Sequence, residues 1–307
     1  MNDPAQSADV TLALIGFGEA AMTFTKGWQT TGCPAIKAYD IKTNSPSYDI
    51  RQKKHDDYDS LGVKGCDSLR EALEDANVVF SLVTAGQALI AARNAHDHLK
   101  KNILYLDCNS CAPETKREAE KIIAGAGGKY VDVAIMAPVQ IDLRKVPLLL
   151  SGPHAASALE LLEKFNMSTR IMAGTTGTAS SVKMIRSIMV KGMEALMLEC
   201  LLSARRAGVD EPVLESLEAS FPGFNWQRRA AYMLERVTTH GLRRASEMLE
   251  VSCYIDHLGL GAKMAKATAL WQHKIGALEL ETINSEEINY QILADAILDK
   301  LTKEKEQ

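Results

Sequence analysis

The chain has 307 residues, 46% of them hydrophobic and 24% charged, with a formal net charge of −4. That length points to two domains of a soluble globular protein, and neither a Lys/Arg run nor an excess of positive charge marks a nucleic-acid surface. The longest apolar runs fall well short of the roughly 20 residues that a membrane helix needs, so no membrane partner is expected.

Residues 1–9, M-N-D-P-A-Q-S-A-D, are polar and read as a flexible tail rather than a signal peptide. Val10 to Ala21 follows as V-T-L-A-L-I-G-F-G-E-A-A, a short buried strand, a glycine turn and a helix start. Gly16, Gly18 and Ala21 sit at G-x-G-x-x-(G/A) spacing. Gly16 permits the tight turn, Gly18 allows backbone to approach a pyrophosphate, and Ala21 keeps the helix close to the strand. Phe17, Glu19 and Ala20 complete the phosphate-facing turn, at a helix N-terminus that favours anions. The next strand, 35–39, ends in Asp40, where an acid meets a ribose diol. These features predict dinucleotide binding. Asp40 favours NAD over a 2′-phosphate, and Lys42 leaves NADP open as a second cofactor.

Further strands are expected at 78–82, 103–107, 130–133, 147–151 and 169–172. Helices are expected at 20–30, 68–74, 87–98, 113–126 and 156–165. Such alternation predicts a mainly parallel, doubly wound α/β sheet. The polar segment 42–58 reads as a loop beside the ribose site. From Gly174 a helical pattern with no strand signal runs to Gly208, capped by Thr178, Ser180 or Ser181. Val182, Ile185, Met189, Met193, Leu196 and Leu201 make it apolar around much of its circumference, as in an interior or an interface. Helical patterns at 212–219, 226–239, 241–254 and 258–280 follow, before a charged tail at 300–307. The boundaries are therefore a tail over 1–9, a dinucleotide-binding domain over 10–173 and an all-α domain over 174–307.

Ligands bind open parallel sheets at the carboxyl ends of the strands. There, Val83 and Thr84 offer a loop over the nicotinamide ribose, and Asn109 and Ser110 offer polar groups just before the Pro113 helix. Ser110 also suits a simple capping role. Lys183 shares a helix face with Ser187 and Lys191. A lysine desolvated there can take a hydroxyl proton, whereas Lys183, Arg186 and Lys191 together also read as a solvated stripe. Six scattered cysteines suit a reducing, cytoplasmic setting; Cys108-x-x-Cys111 lacks a second pair, and the seven histidines lack ligand spacing, so no metal is expected.

The glycine turn, Asp107-x-Asn-Ser and Gly177-Thr-Ala-Ser-Ser-Val-Lys183, in that order, resemble the β-hydroxyacid dehydrogenase superfamily. The similarity lies with a subgroup of 6-phosphogluconate and 3-hydroxyisobutyrate dehydrogenase-like proteins that has its own helical C-terminal domain. The resemblance implies a Rossmann-type doubly wound parallel sheet followed by an all-α domain. It also implies an NAD(P)-dependent dehydrogenase for a small hydroxylated substrate, with Lys183 as general acid/base and Asn109 and Ser110 holding substrate and nicotinamide. Two departures bear on the substrate. The family's D-A-P-V-S-G-G carboxylate cradle becomes Asp132 to Pro138 with Met136 in it, and the family's Asn after the lysine becomes Ser187, preceded by Arg186. Arg186 or Lys191 suits an anionic substrate; Met136 suits a more apolar alcohol. A homodimer formed by the helical domain is expected. An imine or ketone reductase, or a non-catalytic dinucleotide sensor, are the alternatives.

Overall fold

The computed structural model describes residues 10–30, 35–280 and 289–303. The expected tail over 1–9 and residues 304–307 of the charged end lie outside the described residues.

The chain divides into two compact units, 1–183 and 184–307. The first holds an eight-stranded sheet in the order β3-β2-β1-β4-β5-β6-β7-β8. Its strands are β1 (Thr11–Ile15), β2 (Ala35–Tyr39), β3 (Lys64–Gly65), β4 (Val78–Ser81), β5 (Leu104–Asp107), β6 (Lys129–Ile135), β7 (Leu148–Ser151) and β8 (Thr169–Ile171). The helices of this unit are α1 (Glu19–Gln29), α2 (Tyr48–Asp59), α3 (Leu69–Leu73), α4 (Ala88–Ala95), α5 (Pro113–Gly125), α6 (Val139–Asp142) and α7 (Ala155–Lys164). All pairings are parallel except β6 with β7, which is antiparallel. Between those two strands lie only the four-residue α6 and a 3-10 turn, too little for a parallel crossover.

Strand β1 shows why the sheet is buried on both sides. Leu12 and Leu14 point into one cluster with Phe24, Trp28, Phe80 and Leu106. Ala13 and Ile15 point into another with Val79, Tyr105 and Ile123. Each large apolar side chain so buried contributes about 1.5–3 kcal/mol.

The segment expected as a loop beside the ribose site instead forms a 3-10 turn (Ile41–Asn44) and then α2. It shows no apolar stripe because α2 buries only Lys54 and Tyr58. The Lys54 ammonium donates to Phe17 O at 2.6 Å and pairs with Asp57 at 2.7 Å, while the Tyr58 ring lies 4.9 Å from that of Phe17. Tertiary contacts, not amphipathic pattern, hold this helix.

The long helix α8 runs Thr178–Ala207, and the division between units falls inside it, ten residues beyond the expected 173/174 boundary. Its first turn belongs to the sheet unit because Asp132 on β6 caps it: Ser180 N donates at 3.0 Å and Ser180 Oγ at 2.6 Å. Further along, Ile185, Met189 and Leu196 are exposed while Leu198 and Leu201 are fully buried, so only one side of the helix is interior in the single chain.

The second unit comprises the rest of α8 with α9 (Asp210–Ser220), α10 (Trp226–His257), α11 (Lys263–Gly276) and α12 (Tyr290–Lys303). Its core gathers Leu201, Leu234, Val237, Ile275, Tyr290 and Ile297. Expected helices at 226–239 and 241–254 are one continuous helix, because Gly241 is not a break but a contact point. A Cβ there would lie 2.4 Å from Gln272 O and 2.7 Å from Gly276 Cα. The same unit buries charge as well: Arg244 and Gln272 both donate to Glu194 Oε2 at 3.0 Å.

Gly241→Ala therefore pushes α10 off α11 and lowers stability by about 1–3 kcal/mol in urea unfolding, the usual range for overpacking. Gly192→Ala, in α8, is the control: its Cβ finds nothing nearer than Thr268 Oγ1 at 3.8 Å. It gains up to about 1 kcal/mol of helix propensity.

Candidate active site

The glycine turn joins β1 to α1. Gly16 has φ +87°, and a Cβ on it would stand 2.6 Å from Leu82 O, so both backbone and space demand glycine. A Cβ on Gly18 would meet nothing within 4 Å. Gly18 is also the N-cap of α1, with no side chain capping it, so the helix offers its first N–H groups outward. Ala21 is fully buried against the sheet, Ala20 half-buried, and Glu19 exposed in the first turn. This open, donor-rich turn fits a dinucleotide pyrophosphate.

Asp40 ends β2 beside the turn. Its Oδ2 accepts from Phe17 N at 2.8 Å and its Oδ1 from Lys42 N at 2.9 Å, which leaves further lone pairs on both oxygens for a ribose diol. Phe17 acts differently from expectation. Its ring is fully buried against Tyr58, and its backbone is clamped between Asp40 and Lys54. Phe17 thus shapes the turn from below. Burial drives the Tyr58 hydroxyl up to about 12, so it stays a neutral partner of Thr43 Oγ1 at 2.8 Å.

The loop after β5 carries Asn109 and Ser110. Asn109 is 3% exposed and its amide is engaged at both ends. The Val83 N–H donates to Oδ1 at 2.7 Å, and Nδ2 donates to Ser81 Oγ at 2.9 Å and to Asp107 Oδ1 at 2.7 Å. Asn109 therefore ties the Val83–Thr84 loop to the Ser110 loop, with both amide hydrogens spent inside the protein. Thr84 is exposed and Val83 half-buried. Ser110 does not cap the Pro113 helix, whose N-cap is Ala112 with no side-chain cap bond. Instead, Lys183 Nζ donates to Ser110 Oγ at 2.5 Å, across 73 residues of sequence.

Met136 follows β6, half-buried, with its N–H spent on Pro147 O at 2.9 Å. Arg186 is exposed and Ser187 half-buried, both in the helical unit. Lys191, expected as a substrate group, is already paired with Glu247 Oε2 at 2.7 Å. Burial depresses its ammonium against the pull of that carboxylate. Sequence reasoning missed Lys54, Lys116, Tyr130 and Asp132, whose roles depend on partners far along the chain; only the rarity of buried charge could have flagged them.

Among the described residues no group of His, Cys, Asp and Glu is arranged to hold a metal ion, and no helix is long and apolar enough to cross a membrane. Cys108 and Cys111 are both buried, and neither is in a disulfide.

Residues 37–140 match the NAD binding domain of 6-phosphogluconate dehydrogenase, and residues 204–275 match a domain of unknown function, DUF1932. The chain thus joins an NAD-binding domain of the 6-phosphogluconate dehydrogenase type to a DUF1932 helical domain, and its structural neighbours are 3-hydroxyacid dehydrogenase-like proteins. A conserved hypothetical protein from Sinorhizobium meliloti 1021, known from its crystal structure, is 36% identical, with a TM-score of 0.76 over 96% of this chain and 98% of its own. A conserved protein of unknown function, described as structurally similar to 3-hydroxyacid dehydrogenases, is 28% identical. It has a TM-score of 0.69 and covers 95% of this chain and 99% of its own. The 3-hydroxyisobutyrate dehydrogenase of Pseudomonas aeruginosa is 28% identical over 173 residues, 54% of this chain and 57% of that protein.

Gly16 and Gly18 are expected to separate folding from binding. Gly16→Ala lowers the thermal midpoint sharply because φ +87° and the Leu82 contact both oppose it. Gly18→Ala holds stability within about 1 kcal/mol, since its Cβ meets open space. It weakens NADH binding, followed by fluorescence, by about tenfold or more as the methyl group enters the phosphate's place.

Cys108 supplies a pH test. Burial, with Asp107 next to it, pushes its thiol from 9.0 up to about 12 against the opposing effect of Lys116. A thiol raised in the folded state contributes stability that is intact below pH 9 and lost as the pH climbs toward 12. Iodoacetamide at pH 8 is expected to label exposed Cys253 and to spare Cys108 until the protein is unfolded, as read by mass spectrometry.

Proposed function

We propose that this protein is an NAD-dependent dehydrogenase that oxidises the CH–OH group of a small molecule, with Lys183 as the general base. The observation that carries this reading is the 2.5 Å bond from Lys183 Nζ to Ser110 Oγ, beyond the carboxyl end of β5 in a mainly parallel sheet with an NAD-binding turn. Kinship with 3-hydroxyacid dehydrogenases supports the reaction class. NAD, when bound, supplies the acceptor for the hydride of the carbinol carbon. The chain has to take the hydroxyl proton, and neutral Lys183 receives it at Nζ while Ser110 Oγ orients the same hydroxyl. In the reducing direction the Lys183 ammonium returns the proton.

The substrate follows from the end of β6. Backbone donors that could cradle a carboxylate are reduced there: the Met136 N–H is occupied and Pro138 has none. A neutral, more apolar alcohol fits Met136 better than a simple 3-hydroxy acid does. The same feature keeps a ketone or imine reductase as the second reading, since those substrates also need no carboxylate anchor.

The test is NADH formation from NAD and from NADP across hydroxy acids, sugar acids and aryl or alkyl alcohols, with the reverse reaction run on the matching ketones and imines. Lys183→Ala is expected to lose about a hundredfold or more in kcat and to keep NADH binding. Undiminished turnover in Lys183→Ala would overturn the assignment.

A further inference from the structure

Lys116, on α5, is completely buried, and such a lysine survives folding only with full compensation. Its Nζ lies 2.7 Å from Asp107 O, 2.8 Å from Asp107 Oδ1 and 3.5 Å from Asp132 Oδ1. Burial alone would depress the ammonium, but Asp107 and Asp132 outweigh it and hold it above the ordinary lysine range. The two aspartates are register partners on adjacent parallel strands, and both are buried. Without a cation between them they would repel across an apolar interior.

Each aspartate governs one end of the Ser110–Lys183 bond. Asp107 accepts from Asn109 N at 3.0 Å, from Asn109 Nδ2 at 2.7 Å and from Tyr130 OH at 2.7 Å, fixing the loop in which Ser110 is the next residue. Asp132 accepts from Gly177 N at 3.1 Å and from Ser180 N and Oγ, fixing the turn of α8 from which Lys183 projects three residues later. Ser151 reinforces the Asp132 end, donating to Asp132 at 2.9 Å and accepting from Ala179 N at 3.0 Å. The two carboxylates also share their compensation sensibly: one cation serves both, and the helix N-terminus supplies Asp132 with the remainder.

We infer that Lys116 is a positioning residue for the proposed reaction, bridging Asp107 and Asp132 so that Ser110 and Lys183 meet at hydrogen-bonding distance. Lys116 touches neither substrate nor cofactor in this role. The inference rests on the proposed role of Lys183, but its geometry can be measured without a substrate.

The experiment is competitive acetylation of Lys183 in the full-length protein at pH 8, read by mass spectrometry against exposed Lys121 as internal reference. Wild type, Lys116→Met, Tyr130→Phe and Ser110→Ala are compared, with thermal unfolding and NADH binding recorded for each. In Lys116→Met, Lys183 is expected to label several-fold faster, approaching its rate in Ser110→Ala, with Lys121 unchanged. Tyr130→Phe, which removes one donor to Asp107 at little cost in volume, shifts Lys183 the same way by less. A folded Lys116→Met with wild-type Lys183 labelling overturns the inference. If Lys116→Met does not fold, an unchanged Lys183 in Tyr130→Phe overturns it instead. Where turnover is measurable, kcat normalised to the folded fraction from the unfolding curves falls with KM nearly constant, and the normalisation removes any loss that comes from stability alone. Failure of the dehydrogenase reading looks different: wild type then turns over no substrate of the panel, while the labelling still reports the Lys116 geometry.

Discussion

Two carboxylates with no access to water set the terms for the first unit. Asp107, the last residue of β5, and Asp132, midway along β6, stand at matched positions in register, each at most 1% exposed. An ion stripped of water and left unpaired costs several kcal/mol, so everything around these groups is recruited to satisfy them. Lys116 comes from α5, Tyr130 from β6, Ser151 from β7, and the N–H groups of Gly177 and Ser180 from the start of α8. Five elements are thereby locked to one polar centre, including the two segments that carry Ser110 and Lys183. This also accounts for a domain division inside α8: its first turn answers to Asp132 and its later turns answer to the helical core.

The dinucleotide end is built on a separate and smaller version of the same logic. The glycine turn has to be bare of side chains above, so its rigidity comes from below and from the side. Asp40 holds Phe17 N, Lys54 holds Phe17 O, and the Phe17 ring is packed on Tyr58. A flexible turn would lose its freedom only on binding the cofactor; one already clamped has met that entropic cost during folding.

The helical unit combines very close packing with buried charge. Glycine against glycine at 241 and 276 brings α10 and α11 to backbone contact. Nearby, Glu194 is satisfied by Arg244 and Gln272, and Lys191 by Glu247. These charges are consumed internally, which is why a helix bearing several cations presents fewer to a ligand than its sequence suggests.

Local pattern alone determined the alternation of strands and helices, the glycine turn, the strand-end acid at Asp40 and the all-helical C-terminal half, because each follows from spacing within a few residues. It also singled out Ser110 and Lys183, through a motif order that resembles a known superfamily. The tertiary structure decided what spacing cannot encode. Helix α2 has no apolar stripe and exists through Lys54 and Tyr58. The helix expected to break at Gly241 continues, because that glycine makes room for α11. Asn109 looked like a substrate ligand by its position in a loop, but partners 2 to 28 residues away take both hydrogens of its amide and one bond to its oxygen. Lys116 carries no local signal in the sequence and is the most buried lysine in the sheet unit. A side chain's chemistry is written in the sequence; whether it is spent inward or left for a ligand depends on which distant groups the fold brings within 3 Å, and only the folded chain fixes those distances.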